Sequence, residues 1–272
     1  MKTFIKKNSE NILLVIIVLL FIFPIIWTFL TSIKTDLDAW RLPPKYIFSP
    51  SIKNYLIVLF DKGFIGFIGN SLITCFSATG IALLLGVPMA YALARSKLKI
   101  NSIIFVGVFV AYILPPIVLS IPLYVVFARL GMLDRYTTII ITHITFILAF
   151  TVWLMRGFFE EIPAEIEESA LIDGCSNTQT FLLITLPMAR SGLVSTVIFS
   201  FILSWNDFMY ALVLTSSKTR LVSVAVAQFL TPHGMFWGQM CAAGIIAILP
   251  ILVFTLFARK FLVRGMSMGG IK

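Results

Sequence analysis

The chain alternates between long apolar runs and shorter polar connections along its 272 residues. Each run reaches or approaches the ~20 apolar residues that a helix needs to cross a bilayer. The runs are Asn11 to Thr31, Phe67 to Leu93, Ile103 to Ala128, Thr137 to Met155, Leu193 to Leu214 and Cys241 to Val263. The pattern therefore predicts an all-α polytopic membrane protein with six transmembrane helices in a single domain over residues 1–272.

The composition supports this topology. Hydrophobic residues make up 59% of the chain, charged residues make up 12%, and the mean hydropathy is +1.01. These values exclude an ordinary soluble domain. The first run follows Lys2, Lys6 and Lys7, as a signal peptide would, but it is too long and no small-residue cleavage site follows it. We therefore predict that the first helix is retained.

The distribution of positive residues predicts the orientation. Arg95, Lys97 and Lys99 are packed between the second and third runs, whereas the positive residues of loop 32–66 are spread out. Because positive charge is retained on the cytoplasmic side, both termini and loop 156–190 are predicted to be cytoplasmic. The net charge of +9 belongs to this topology, since no stretch is long enough to form a basic nucleic-acid-binding domain.

The aromatic, proline-rich loop 32–66 is predicted to form an ordered external surface. The sequence leaves open whether this surface docks an external protein or serves only as structure. The three cysteines, Cys75, Cys175 and Cys241, stand singly. Their spacing supports neither a disulfide framework nor a zinc site.

The third run contains Pro115, Pro116 and Pro122. Each proline removes a backbone donor and clashes with the preceding helical turn, so we predict a kinked or broken helix. Such a break is tolerated at membrane depth where neighbouring helices or a water-lined cavity satisfy the freed carbonyl groups. Pro115 and Pro116 are therefore candidates for lining a translocation path, with a simple packing kink as the alternative.

The fifth run contains the polar sequence Trp205-Asn206-Asp207. An ionisable side chain at the centre of a membrane costs ~2.5 to 3.5 kcal/mol on insertion scales, so Asp207 needs compensation or a place near an interface. We predict a role for these three residues in the translocation path or its gate, with hydrogen bonding between helices as the alternative. His143 in the fourth run is predicted to be hydrogen-bonded within the helix bundle.

A polar segment separates the fourth and fifth runs. Its pattern predicts a helix from Pro163 to Asp173 and a left-handed residue at Gly174. A second helix is predicted to begin at Ser176, with Gln179 as its capping-box partner, and to stop at Pro187. Half of the chain's 12 acidic residues lie between positions 160 and 173. Because a helix that lies on anionic lipid is usually rich in Lys and Arg, this acidic segment favours a protein partner.

The same segment resembles the Glu-Ala-Ala loop that marks the membrane subunits of binding-protein-dependent ABC importers, of the maltose-type carbohydrate-uptake family. The matching residues are Glu168, Ala170, Asp173, Gly174, Phe181 and Pro187. Ser169 and Cys175 depart from the pattern, and each keeps a small side chain in place of alanine. The resemblance implies the type I importer permease fold with an ATPase-coupling loop within residues 156–190.

In this family the loop docks on an ATP-binding subunit, where Asp173 and Gly174 would shape the turn and Glu168 would fix it through a hydrogen bond or ion pair. The chain has no phosphate-binding Gly-x-x-x-x-Gly-Lys-Ser/Thr loop, so we predict no enzyme activity and no cofactor, with ATP bound by a partner. The resemblance also implies a second, different permease subunit, two ATP-binding subunits and an extracellular or periplasmic solute-binding protein.

Two further stretches resemble the sugar-importing branch of the family. One is Trp205-Asn206-Asp207, and the other is the glycine-rich C-terminal tail with Gly265, Gly269 and Gly270. The tail either reaches the ATP-binding subunit or is frayed. The resemblance implies import of a sugar, with an oligosaccharide favoured, across a bacterial or archaeal cytoplasmic membrane by alternating access. A polyol or glycerol-phosphate-type solute, or a stand-alone secondary transporter, remain alternatives.

Overall fold

The computed structural model describes residues 2–96, 100–231 and 234–268, and these residues are mostly helical. The first half contains α1 (Lys2–Ser32), α2 (Asp36–Ala39), α3 (Lys53–Leu56), α4 (Phe64–Arg95), α5 (Ile100–Ile113), α6 (Pro116–Arg129) and α7 (Tyr136–Glu160). The second half contains α8 (Ala164–Ile172), α9 (Asn177–Thr180), α10 (Leu186–Met188), α11 (Arg190–Trp205), α12 (Met209–Leu214), α13 (Val222–Ala227), β1 (Leu230–Thr231), β2 (Gly234–Met235) and α14 (Trp237–Met268). The two strands form a small antiparallel pair, with Leu230 opposite Met235.

Each predicted apolar run lies on one helix or on a broken pair of helices. Within the described residues, four helical segments are long and apolar enough to span a membrane: Leu13–Ser32, Phe64–Arg95, Tyr136–Glu160 and Trp237–Leu256. The bent pair Asn177–Met188 and Arg190–Trp205, with an angle of 77°, gives a fifth if it is counted as one span. The third predicted run is divided between α5 and α6, and the fifth is divided between α11 and α12.

The break in the third run confirms the prediction from its prolines. Helix α5 ends at Ile113, and α6 begins at Pro116. Pro115 stands between them with an extended ψ of 132°. A residue before a proline is biased away from the helical region, and a proline in the first helical turn costs no hydrogen bond.

The chain contains two compact units, and the first comprises Met1–Gly66 and Ala225–Leu249. Its loop is held by the side-chain amide of Asn54, which donates to the backbone oxygens of Ser32 and Lys34, both at 2.8 Å. The hydroxyls of Ser32 and Tyr55 lie 2.7 Å apart. These contacts fix the residues that follow α1. That the whole chain forms one domain stays a prediction.

The second unit comprises Phe67–Val224 and Pro250–Lys272, and it contains α7 at its centre. Small residues allow close helix packing there, as they do in other membrane bundles. A Cβ atom added at Gly86 of α4 would lie 2.8 Å from the Thr151 side chain of α7, and one added at Gly192 of α11 would overlap the Phe158 ring. These glycines therefore let α4 and α11 approach α7.

Candidate functional site

The coupling segment, residues 163–188, begins with α8. The sequence analysis placed Pro163 inside this helix, but in the structure Pro163 precedes it with ψ 132°. Glu165 and Glu167 occupy the first turn, where the positive end of the helix dipole favours negative charge. The helix therefore begins one residue later than predicted, at Ala164.

The turn after α8 confirms the prediction in detail. Gly174 has φ +93°, a conformation that a residue with a side chain rarely adopts. Ser176 then caps α9: its backbone N–H donates to Gln179 Oε1 at 2.8 Å, and the Gln179 backbone N–H donates to Ser176 Oγ at 3.3 Å. This reciprocal pair is the predicted capping box.

The second helix was predicted to stop at Pro187, but it continues through this residue. A π-helical turn over Phe181–Thr185 leads into α10, and Pro187 lies within that short helix. Proline is tolerated there because the first N–H groups of a helix need no partner within it. The helical path then turns by 77° into α11 at Arg190.

A buried carboxylate anchors the coupling segment to α4. Glu167 accepts hydrogen bonds from Arg95 Nε at 3.0 Å and Arg95 Nη2 at 2.8 Å. The hydroxyls of Tyr91 and Thr185 also donate to it, each at 2.9 Å. The guanidinium further donates to the backbone oxygen of Ile162 at 3.0 Å. These contacts join α8, the π-helical turn and the end of α4.

The electrostatics of this anchor follow from its partners. Burial would raise the pKa of Glu167, but the hydrogen bonds from Arg95, Thr185 and Tyr91 outweigh burial and hold that pKa below its ordinary value. A carboxylate that accepts several bonds from charged and neutral donors is stabilised in its ionised form. Glu167 is therefore an ionised joint between two helices.

The anchoring role was predicted for Glu168, whereas Glu167 makes these contacts in the structure. Glu168 is exposed. Glu167 and Ala170 are three positions apart, so they lie on one face of α8, and both are buried. Phe181 packs on Tyr91 with ring centroids 4.7 Å apart. The remaining predicted coupling residues, Ser169, Asp173, Gly174 and Pro187, are exposed.

The outer face of the coupling segment carries several exposed apolar side chains, and two of them are exposed most. Ile172 is 85% exposed and Leu183 is 69% exposed. They lie on either side of the Gly174 turn, and the same segment carries exposed acidic residues such as Glu165 and Asp173. This combination of exposed aliphatic groups and negative charge suits a protein surface more than an anionic bilayer.

A second candidate site lies at the break between α11 and α12 in the second unit. It is a cavity of about 580 Å³. Its lining residues are Tyr112, Leu114, Pro116, Phe146, Leu203, Asn206, Asp207, Phe208, Met209 and Tyr210. Aromatic rings with a few convergent polar groups are typical of sites for small ligands.

Asp207 is compensated, as predicted, by groups around the break. The backbone N–H groups of Tyr210 and Ala211 donate to its carboxylate at 3.4 and 3.0 Å. His143 Nε2 lies 3.2 Å from the carboxylate, and His143 Nδ1 lies 2.7 Å from Ser204 Oγ. The carboxylate thus caps the start of α12 and joins it to α7.

The structure divides the predicted path residues. Asn206, Asp207 and Pro116 line the cavity, and Pro115 stands at the neighbouring helix break. Trp205 is buried and stacks on Phe201 with ring centroids 5.6 Å apart. The sequence analysis predicted that His143 is hydrogen-bonded but gave it no partner, because positions 143 and 207 are brought together only by packing of α7 on α11.

Asp134 was not among the residues predicted from the sequence. Its carboxylate accepts backbone N–H bonds from Ser216, Lys218 and Thr219 at 2.9 to 3.1 Å, and the Thr219 hydroxyl donates at 2.8 Å. Burial would raise the pKa of Asp134, but these bonds together lower it. The carboxylate clamps the loop after α12 to the loop before α7. Asp134 has a left-handed φ of 55°, a feature that is visible in the structure and not in the sequence.

Residues 82–268 match the model of the binding-protein-dependent transport system inner membrane component family. This chain belongs to that family. The permease is 33% identical to the probable ABC transporter permease protein y4oR of Sinorhizobium fredii, over 94% of this chain and 92% of the relative. It is also 33% identical to the trehalose transport system permease protein SugB of Mycobacterium tuberculosis, over 92% of each chain.

The fold of the permease also matches a solved importer structure. A chain of a bacterial ABC transporter involved in the import of the acidic polysaccharide alginate superposes with a TM-score of 0.77. The identity is 23%, and the match covers 94% of the permease and 96% of that chain. The all-α class and the type I importer permease fold are therefore confirmed. The protein is a multi-pass component of an ABC transport system.

Proposed function

We propose that this permease is one of two different membrane subunits of an ATP-driven importer for an oligosaccharide. The coupling segment receives the motion of an ATP-binding subunit, and the cavity at the break between α11 and α12 lies on the solute path. The trehalose-named relative and the alginate transporter support a saccharide as the solute. The permease performs no bond chemistry itself.

The joint at Glu167 is the observation that carries the coupling proposal. A docked element transmits movement only if it is connected rigidly to the helices that must move. Glu167 supplies this connection because its carboxylate bonds to Arg95 and Tyr91 at the end of α4. The exposed Ile172 and Leu183 then form the apolar contact with the ATP-binding subunit. Closure of that partner would pull α4 through this joint.

The cavity is suited to a sugar by its two kinds of lining group. Tyr112 and Phe208 are partly exposed, and an aromatic face packs on the apolar face of a pyranose ring. Asn206 and Asp207 supply hydrogen-bonding groups for hydroxyls. Because the backbone breaks at this point, the angle between α11 and α12 can change without disrupting a continuous helix. We therefore place the gate of the path at Asn206 and Asp207.

The remaining parts of the importer are separate chains. ATP binding and hydrolysis belong to two ATP-binding subunits, because the sequence contains no phosphate-binding loop. An external solute-binding protein delivers the sugar. With both termini in the cytoplasm, the acidic coupling segment faces the ATP-binding subunits. The C-terminal tail is proposed to reach the same partner, although Gly269 and Gly270 lie outside the described residues.

Cys175 offers a direct test of the orientation. It lies in the turn of the coupling segment and is partly exposed, whereas Cys75 is buried. A membrane-impermeant maleimide should label Cys175 in inside-out vesicles and spare it in right-side-out vesicles, with mass spectrometry identifying the labelled site. Labelling only in right-side-out vesicles would contradict the orientation and the coupling role together.

Co-purification with an ATP-binding subunit tests the coupling role. Gly174→Val places a β-branched residue at φ +93° and should abolish association. Gly157→Ala is the matched control, because Gly157 lies in α7 with open space around its Cα. Association of wild type and Gly157→Ala, lost in a folded Gly174→Val, supports the proposal. An ATP-binding subunit absent from all three preparations contradicts it.

A solute of glycerol-phosphate type is the second candidate, because the external loop is rich in Lys and Arg. Uptake by the assembled transporter in proteoliposomes separates the candidates. ATP-dependent accumulation of a labelled disaccharide such as trehalose supports a sugar. Accumulation of glycerol 3-phosphate without sugar uptake would contradict a sugar and identify the second candidate as the solute.

A further inference from the structure

A cavity in the first unit has no role in the proposed function. Its volume is about 680 Å³. Three of the chain's five tryptophans line it: Trp27 at the end of α1, Trp40 in the following loop and Trp237 at the start of α14. Lys34, Asp38 and Arg41 are the charged residues of its lining. We refer to it as the tryptophan cavity.

Lys34 is a buried cation in this cavity. Its side chain is only 4% exposed, and its ammonium lies 5.0 Å from the ring centroids of both Trp27 and Phe48. Within the part of the chain that the structure describes, this ammonium forms no ion pair. A buried charge is normally paired, and aromatic faces do not accept the strong hydrogen bonds that an ammonium can donate. Lys34 is therefore prepared for an anion.

The acidic residue of the cavity does not fill this need. Asp38 accepts a hydrogen bond from Lys45 Nζ at 2.9 Å, so its charge is matched by a cation outside the lining. The two cations of the lining, Lys34 and Arg41, therefore outnumber its one carboxylate, and Lys45 already engages that carboxylate. The excess of positive charge selects an anionic group.

The position of the cavity indicates where that anion comes from. The apolar stretch Leu13–Ser32 ends two positions before Lys34, and the stretch Trp237–Leu256 begins at a lining residue. Because both ends line one cavity, the cavity lies where the hydrocarbon of the bilayer gives way to the headgroups. Tryptophan rings and lysine stems are typical of this level. The phosphate groups of phospholipids occupy the same level.

The neighbouring surface of α1 continues the site toward the hydrocarbon. Phe23 lies one helical turn before Trp27 and is 60% exposed, and Ile26 directly precedes Trp27 and is 44% exposed. They provide an apolar surface for an acyl chain attached to a bound phosphate. A small soluble anion would use the cations and leave this surface unused, so the arrangement favours a lipid.

We propose that the tryptophan cavity binds the phosphate group of a phospholipid, with Lys34 as its principal cation and Arg41 as a second cation at the rim. The indole rings of Trp27 and Trp237 would pack against the glycerol backbone. Such a lipid would fix the loop after α1 to the start of α14. This site is independent of the proposed saccharide path.

Titration of the purified full chain in dodecyl maltoside tests the proposal, with tryptophan fluorescence as the readout. The probe is dioctanoyl phosphatidylglycerol, and the matched ligand without phosphate is dioctanoylglycerol. Lys34→Met keeps the length of the side chain and removes its charge, so it should weaken binding of the probe by at least about tenfold. Lys34→Arg should retain binding.

Lys53→Met is the matched control variant, because it removes the same charge from an exposed position of α3 in the same unit. It should leave binding unchanged, and circular dichroism checks that all variants are folded. Equal affinity of wild type and Lys34→Met for the probe would overturn the proposal, as would equally tight binding of dioctanoylglycerol. Glycerol 3-phosphate binding as tightly as the probe would reassign the cavity to a soluble anion and overturn the lipid assignment.

Discussion

Glu167 and Asp207 are both withdrawn from water in this permease, but they are stabilised in different ways. Glu167 in the coupling segment is held by side chains of Tyr91, Arg95 and Thr185, which belong to separate elements. Asp207 is held largely by its own neighbourhood, since the backbone N–H groups of the next helix donate to it. The ring of His143, 64 positions away in the chain, also bonds to the carboxylate.

The difference separates a joint from a cap. Removing Glu167 disconnects one element from another and leaves a guanidinium without its carboxylate. Removing the distant partner of Asp207 leaves its backbone bonds in place. A joint therefore transmits movement between elements, whereas a cap fixes the start of one helix at a break.

Glu167→Gln should have the largest effect. Breaking a buried ion pair by removing one partner is strongly destabilising. Water screens part of this effect because the Arg95 side chain is 21% exposed, so we expect the free energy for opening of the coupling segment to fall by about 2–3 kcal/mol. Cleavage by a Glu-specific protease after Glu165, which this variant and its control both retain, should accelerate about 30- to 150-fold if the rate follows the population of the open segment. ATP-driven uptake should be lost as well. Glu168→Gln, at the exposed neighbour, is the control, and equal cleavage rates in the two variants would contradict the joint.

His143→Ala should lower the free energy of unfolding in detergent by about 2 kcal/mol, because two hydrogen bonds are lost and a small cavity is created. His143→Gln should recover most of this loss. The glutamine amide nitrogen can donate to Asp207, and its oxygen can accept from Ser204. Thermal unfolding of both variants measures the effect. If the glutamine variant were as unstable as the alanine variant, the two bonds would not be what stabilises the break.

Asp134→Asn should cost about 1 kcal/mol, since one amide oxygen replaces two carboxylate oxygens that accept four bonds. Asparagine still tolerates the φ of 55° at this position. Asp134→Ala should be more destabilising, because it loses every bond and fits that φ poorly. Hydrogen exchange of residues 216–219 should rise in both variants. Unchanged exchange would show that the loop does not depend on the carboxylate.

Acidification should weaken the joint in a defined range. Because the pKa of Glu167 is lowered in the folded protein, its contribution is complete above the unfolded value of about 4.3 and is lost as pH falls through the folded value. Hydrogen exchange of Ala164–Ile172, corrected for its intrinsic pH dependence, should be constant from about pH 8 to 5 and should rise below about pH 4. Glu167→Gln should lack this step. A step that persists in the variant would assign it to another group.

The sequence determined the parts of this protein that depend on local chemistry. A continuous apolar run of spanning length forms a helix in a bilayer, because the helix satisfies its own backbone hydrogen bonds. The six runs therefore predicted where helices form. Prolines predicted the break at Pro115. Gly174 and the pair Ser176 and Gln179 predicted the turn of the coupling segment, because a left-handed residue and a capping box need only near neighbours in the chain.

The tertiary structure decided which polar groups meet. Glu167 and Glu168 are adjacent and chemically equivalent in the sequence, and the packing of α8 against α4 alone selects Glu167 to meet Arg95. The approach of α7 and α11 likewise brings His143 to Asp207 across 64 positions of the chain. Distant pairs of this kind carry no local periodicity or turn signal, because their contact depends on how whole helices pack.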